Sequence, residues 1–174
     1  MGDYVHASIT ICGHIAAIEA FDDLLNALEN KYLRPASGGE SRDSLRHEFV
    51  SSLVKGESAY FECDQVNYGN LSEVTDVCQE YGIAYERTSD AAGDSDAEEA
   101  CWYPGDKDEF GKEDAAVDGW QLEKLLDEPD LEVAVKAKVA QLKRASGKDL
   151  PTLSISDELR DHLAVEIGRA RVAA

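Results

Sequence analysis

The chain has 174 residues, 43 % of them apolar, and sets 36 acids against 17 lysines and arginines, for a net charge of −19. That apolar share suits one buried core and is too high for a wholly disordered segment. A field this negative repels phosphates and anionic membranes, which excludes direct nucleic-acid and membrane-surface binding, and it attracts basic proteins and divalent cations.

Tyr4 to Cys12 alternates, with Val5, Ala7, Ile9 and Ile11 on one side and His6, Ser8, Thr10 and Cys12 on the other. This predicts a strand with one buried face, ended by Gly13. Ile18, Phe21, Leu25, Leu28 and Tyr32 follow helical spacing, which predicts a helix over 16–32. A loop with Gly38 and Gly39 leads to a second helix, with Ser44 as its expected cap, a stripe of Leu45, Phe49 and Leu53, and a stop at Gly56. Ala59–Cys63 reads as a strand, and Asn67 to Asn70 as a turn. Leu71, Val74, Cys78 and Tyr81 predict a third helix, ended by Gly82. Ile83–Thr88 and Ala100–Tyr103 read as strands.

The remainder is expected to be helical from Trp120 onward. A short helix runs to Asp127, and a longer one after Pro129 carries the stripe Leu131, Val135, Val139 and Leu142. Leu150–Ile155 reads as a short strand, and Ser156 as the cap of a last helix with Leu159, Leu163 and Ile167. The expected fold class is α+β: a small mixed β-sheet of about four strands packed with helices, followed by a helical C-terminal extension. Its parts are a core over 1–105, an acidic connector over 106–119 and the helical region over 120–174. Strand-helix-strand connections favour parallel neighbours, and the last two strands of the core are expected to form an antiparallel hairpin.

The longest uncharged stretch, Tyr4 to Ile18, is shorter than a membrane span requires and has no basic leader before it. Cys12, Cys63, Cys78 and Cys101 are scattered, with no CxxC pair, which suits thiols in a reducing compartment and a cytoplasmic protein. No phosphate-cradling glycine motif occurs, so no cofactor is expected.

Cys12 precedes a predicted helix, where a thiol can be acidified into a nucleophile. Leu150-Pro151-Thr152-Leu153 resembles the proline-containing segment that faces the redox site in thioredoxin-like proteins, and the strand order of the first hundred residues is also similar to that fold. That resemblance implies a thiol enzyme using Cys12. The chain departs from the pattern in lacking a second cysteine three residues after Cys12 and a proline just before Ile83. His6, Cys12 and His14 lie at alternating positions, but a third and a fourth metal ligand are missing from the pattern, so no metal is expected. A calcium loop read from Asp106 matches at Asp106, Asp108 and Gly111 and fails at Phe110, Glu113 and Val117.

The charge itself is the strongest signal. Residues 57–130 hold 22 acids and four bases, net −18, against −3 for residues 1–56 and +2 for residues 131–174. Adaptation to high salt would acidify the whole surface. Nine of the 13 aromatic residues also fall between Tyr60 and Trp120. The expectation is therefore a non-enzymatic interaction protein for a basic, nucleic-acid-binding protein partner. It is similar in character to the acidic nucleic-acid mimics by which phages and plasmids inhibit host nucleases and CRISPR effectors. The expected surface comprises Asp90, Asp94, Asp96, Glu98, Glu99, Asp106, Asp108, Glu109, Glu113 and Asp114, with Trp102, Tyr103 and Phe110 as anchors. The competing expectation is a solvated acidic face that maintains solubility.

Overall fold

The computed structural model describes residues 3–93, 96–111, 119–145 and 150–173. Strand β1 (Tyr4–Cys12) forms as the alternation predicts and lies inside the main sheet. After β2 (His14–Ile15) come α1 (Ile18–Asn30), β3 (Arg34–Pro35) and α2 (Arg42–Lys55). The cap of α2 is Ser41, whose Oγ accepts the N–H of Ser44, so this helix begins one turn earlier than expected. Strand β4 (Ala59–Asn67), α3 (Ser72–Glu80), β5 (Ala84–Ser89) and β6 (Glu98–Trp102) follow. A short β7 (Phe110–Gly111) then arises inside the segment expected to be a connector.

Among the described residues the main sheet has six strands, in the order β3-β4-β1-β5-β6-β7, and every neighbouring pair is antiparallel. The expectation of about four strands in a mixed sheet is corrected on both counts. The reason is the number of helices in each connection. Two helices separate β1 from β4, so the chain returns to the end where β1 stopped and must run back beside it. One helix separates β4 from β5, which are parallel in direction as a single crossover implies, but β1 lies between them. The expected hairpin between β5 and β6 is present, with Ser89 opposite Glu98 and Tyr85 opposite Trp102.

The three helices α1, α2 and α3 bury their stripes on one sheet face. Phe21, Leu24 and Leu28 from α1, Leu45 and Phe49 from α2, and Val74 and Cys78 from α3 meet Ile9, Ile11, Phe61, Tyr85 and Trp102. Phe21 sits edge-on to Phe49 with ring centroids 5.3 Å apart, a favoured aromatic geometry.

The C-terminal region contains α4 (Gly119–Leu126), α5 (Leu131–Ala145), β8 (Ser154–Ile155), α6 (Asp157–His162) and α7 (Ala164–Ala173). Its two halves differ. Ser156 caps α6 as expected, and Leu153, Ile155, Leu159 and Leu163 enter the main core. Strand β8 pairs in parallel with β2, tying Ser154 to His14 and Ile155 to Ile15. The stripe of α5, by contrast, is only partly covered: Leu131, Val135 and Val139 are each more than 40 % exposed. Among the described residues no helix is long and apolar enough to cross a membrane.

Candidate interaction surface

The face of the main sheet opposite the helices is built from the alternate residues of the same strands. Directly opposed residues in an antiparallel sheet share a face. The pairing therefore sets Glu62, Ser8, Thr88 and Glu99 in one row across β4, β1, β5 and β6. A second row runs Tyr60, Thr10, Glu86, Cys101 and Phe110. With strands about 4.8 Å apart, Glu62 and Glu99 stand about 14 Å from each other. Hydroxyls stiffen this face: the side chains of Ser8 and Thr88 are hydrogen-bonded at 2.8 Å, and Tyr60 donates to Glu62 at 3.0 Å. A small apolar cluster of Cys12, Ala84, Cys101 and Tyr103, with Phe110 and Leu150 against it, covers one end. The other end is polar.

At that polar end β4 carries an extra residue. Val5 faces Val66 while Ala7 faces Cys63, so Asp64 and Gln65 together oppose His6. Such a bulge re-aims side chains. Beside it, Asp64 hydrogen-bonds the Nδ1 of His6 at 3.0 Å and accepts from the guanidinium of Arg34 at 2.6 Å. Beside this trio lies a cavity of about 510 Å³, lined by Tyr4, Tyr32, Arg34, Glu40, Asp64 and Gln65 among others. Sequence reasoning missed this corner. The partners come from positions 6, 34 and 64, and the pairing of β3, β4 and β1 brings them into reach.

The predicted acids separate into two groups. Asp90, Asp96, Glu98, Glu99 and Asp108 are exposed. The N–H of Asp90 donates to the carbonyl of His6 at 2.9 Å, which fixes the chain just after β5. Glu98 and Glu99 stand on β6, and Glu98 accepts from Arg87 at 2.8 Å. Asp106 and Glu109 are instead internal fasteners. Asp106 accepts the N–H of Tyr103 with its carboxylate, and its carbonyl accepts from the indole of Trp102, both at 3.2 Å. Glu109 takes two N–H groups of Arg87, at 3.0 and 2.7 Å, and the hydroxyl of Tyr85 at 2.6 Å. Burial alone would raise the pKa of Glu109; the hydrogen bonds from Arg87 and Tyr85, with the charge of Arg87, outweigh burial and hold it below the usual carboxylate range. The same contact with Glu109 pushes Arg87 upward. Asp94, Glu113 and Asp114 lie outside the described residues.

The expected anchors need correction. Trp102 and Tyr103 are buried at 6 % and 8 % exposure, and Trp102 stacks on Tyr85 with centroids 6.1 Å apart. They hold β6 to the core and are not available to a partner. Phe110 is half-buried, with the ammonium of Lys138 5.8 Å from its ring centre.

Cys12 is fully buried, and α1 begins only at Ile18, so the thiol does not sit at the N-terminus of that helix. Burial first, then the charge of Glu86 and the neighbouring Cys101, push its pKa up to about 12, the reverse of what a nucleophile needs. The fragment around Pro151 does reach this junction, since the N–H of Gly13 donates to the carbonyl of Pro151 at 3.4 Å. His14 bonds to Ser154 at 3.1 Å, away from His6. Among the described residues no group of three or more His, Cys, Asp or Glu side chains is arranged to hold a metal ion. In comparison with known proteins, the chain matches no protein family, no curated protein and no solved structure.

Proposed function

We propose that the chain is a non-enzymatic acidic interaction protein that docks a basic protein, of the kind whose own surface binds nucleic acid, across the polar end of the open sheet face and its β5–β6 margin. The supporting observation is the placement of Glu62, Asp64, Asp90 and Glu99 on or directly after hydrogen-bonded strands. Charges fixed in this way lose little conformational entropy on binding. They stand where phosphates would stand in a groove lined by lysine and arginine, and they steer encounter with such a partner. Burial of all four free cysteines agrees with a reducing, cytoplasmic setting.

The test combines charge reversal with competition. Asp90, Asp96, Glu99 and Asp108 are exposed, so changing all four to Lys leaves the core untouched. Wild type and variant are used to capture partners from lysate of the native host, and the bound protein is challenged with duplex DNA and with salt. The proposal expects a partner rich in Lys and Arg that wild type retains, DNA displaces and the variant fails to hold. Equal capture by both proteins, or a partner indifferent to DNA and salt, overturns it.

A further inference from the structure

The cavity at the bulged corner holds two rings that the fold leaves in water. Tyr4 and Tyr32 are 66 % and 71 % exposed, although the same fold buries Trp102. Tyr32 is unusual in its backbone as well. Helices α1, α2 and α3 all close alike, with the N–H of Leu33, Glu57 and Ile83 returning to the carbonyl of Leu28, Ser52 and Cys78. This closure needs a left-handed residue just before the returning amide, and glycine is the usual occupant. Helices α2 and α3 use Gly56 at φ 71° and Gly82 at φ 67°, whereas α1 uses Tyr32 at φ 54°. A tyrosine there is strained where a glycine would not be. The strain sits at the one of the three helix ends whose side chain lines the cavity.

The charges decide what can enter. Arg34, Glu40 and Asp64 give the lining a net charge of −1, and Arg34 is already engaged by Asp64 at 2.6 Å. An anion would meet that surplus within a chain of net charge −19. Tyrosine faces attract cations, and carboxylates accept the forked N–H groups of a guanidinium. The volume of about 510 Å³ lies within the usual range for small-molecule sites.

We propose that this cavity binds a guanidinium or alkylammonium group, held between Tyr4 and Tyr32 and hydrogen-bonded by Glu40 and Asp64. The group can belong to a free small molecule or to an arginine side chain of a protein; only the second source rests on the docking function proposed above. The experiment follows backbone and tyrosine-ring NMR signals of the full chain while titrating arginine amide, a short arginine-containing peptide, or the neutral isostere citrulline amide. Tyr32→Gly is the key variant, because it removes the ring and relieves the backbone, so its melting temperature should equal or exceed that of wild type.

The expected result is saturable shifts at Tyr4, Tyr32 and Asp64 with an arginine ligand, none with citrulline amide, and binding at least about fivefold weaker in Tyr32→Gly. Binding of both arginine ligands supports a small-molecule source; binding of the peptide alone supports a protein side chain. Equal response to arginine and citrulline, undiminished binding in a folded Tyr32→Gly, or no response to any ligand overturns the proposal. The quadruple Lys variant of the docking test leaves this cavity intact, so the two proposals fail separately.

Discussion

Glu109 shows how much a single residue's role depends on what reaches it. In the sequence it is one of ten acids between 89 and 114, with nothing to distinguish it from Asp108 beside it. In the fold it stands just before β7, where Arg87 and Tyr85 of β5 enclose its carboxylate while Asp108 stays exposed. Breaking such a partly buried pair leaves Arg87 without its main partner, so Glu109→Gln should cost about 3 kcal/mol of stability at neutral pH by denaturant titration. The pH dependence has a defined sign. Because the folded pKa of Glu109 lies below the unfolded value, its contribution is complete above about pH 4.3 and is lost as pH falls toward the folded pKa. The variant should therefore lose less stability than wild type on acidification through that range. Equal slopes would show that Glu109 is not coupled to folding. Trp102 and Tyr103 teach the converse lesson: acids flanking them in sequence suggested exposure, yet strand alternation and the Tyr85 stack place them inside.

At the level of elements, periodicity located α1, α3, β1 and β5 within a few residues, because each buries one face and its pattern records that burial. It failed for β7 and β3, two residues each, which are too short to carry a pattern. The direction of the strands was hidden for another reason. It depends on how many helices intervene, which the mere alternation of strand and helix does not express. Helix α5 differs, since its apolar stripe has the correct spacing and yet Leu131, Val135 and Val139 stay partly exposed. The two C-terminal stripes should therefore respond differently to truncation. Leu159→Ala, at a fully buried site in the main core, should cost about 2–5 kcal/mol. Val135→Ala in α5 should cost about 0.5 kcal/mol or less by the same denaturant titration. A cost for Val135 matching that of Leu159 would mean that α5 is packed in solution.

For the whole molecule, the charge distribution was legible and its geometry was not. The acidic block between 57 and 130 is plain in the sequence. That Glu62 and Asp64 on β4 share a surface with Glu99 on β6 follows only from the order of strands in the sheet. The corner with His6, Arg34 and Asp64 was illegible because its members lie on three strands whose pairing and register leave no mark in composition or spacing. A net charge of −19 also means that the folded state repels itself. Raising sodium chloride from about 10 mM to about 150 mM shortens the screening length from about 30 Å to about 8 Å. The melting temperature should rise over that interval by scanning calorimetry. A fall would show that local ion pairs such as Arg87–Glu109 outweigh the global repulsion.

The pairing of β2 with β8 joins positions 14 and 154, and it carries Leu159 and Leu163 into the same core as Phe21 and Leu45. Synthesis proceeds from the N-terminus, so the first three helices emerge well before the residues that complete their packing. Contacts this distant in sequence also slow folding. A nascent chain halted near residue 140 would hold an unfinished core, and shelter by a chaperone would matter most in that interval. The residues from β8 to Leu163 thus set the moment at which this core can become native.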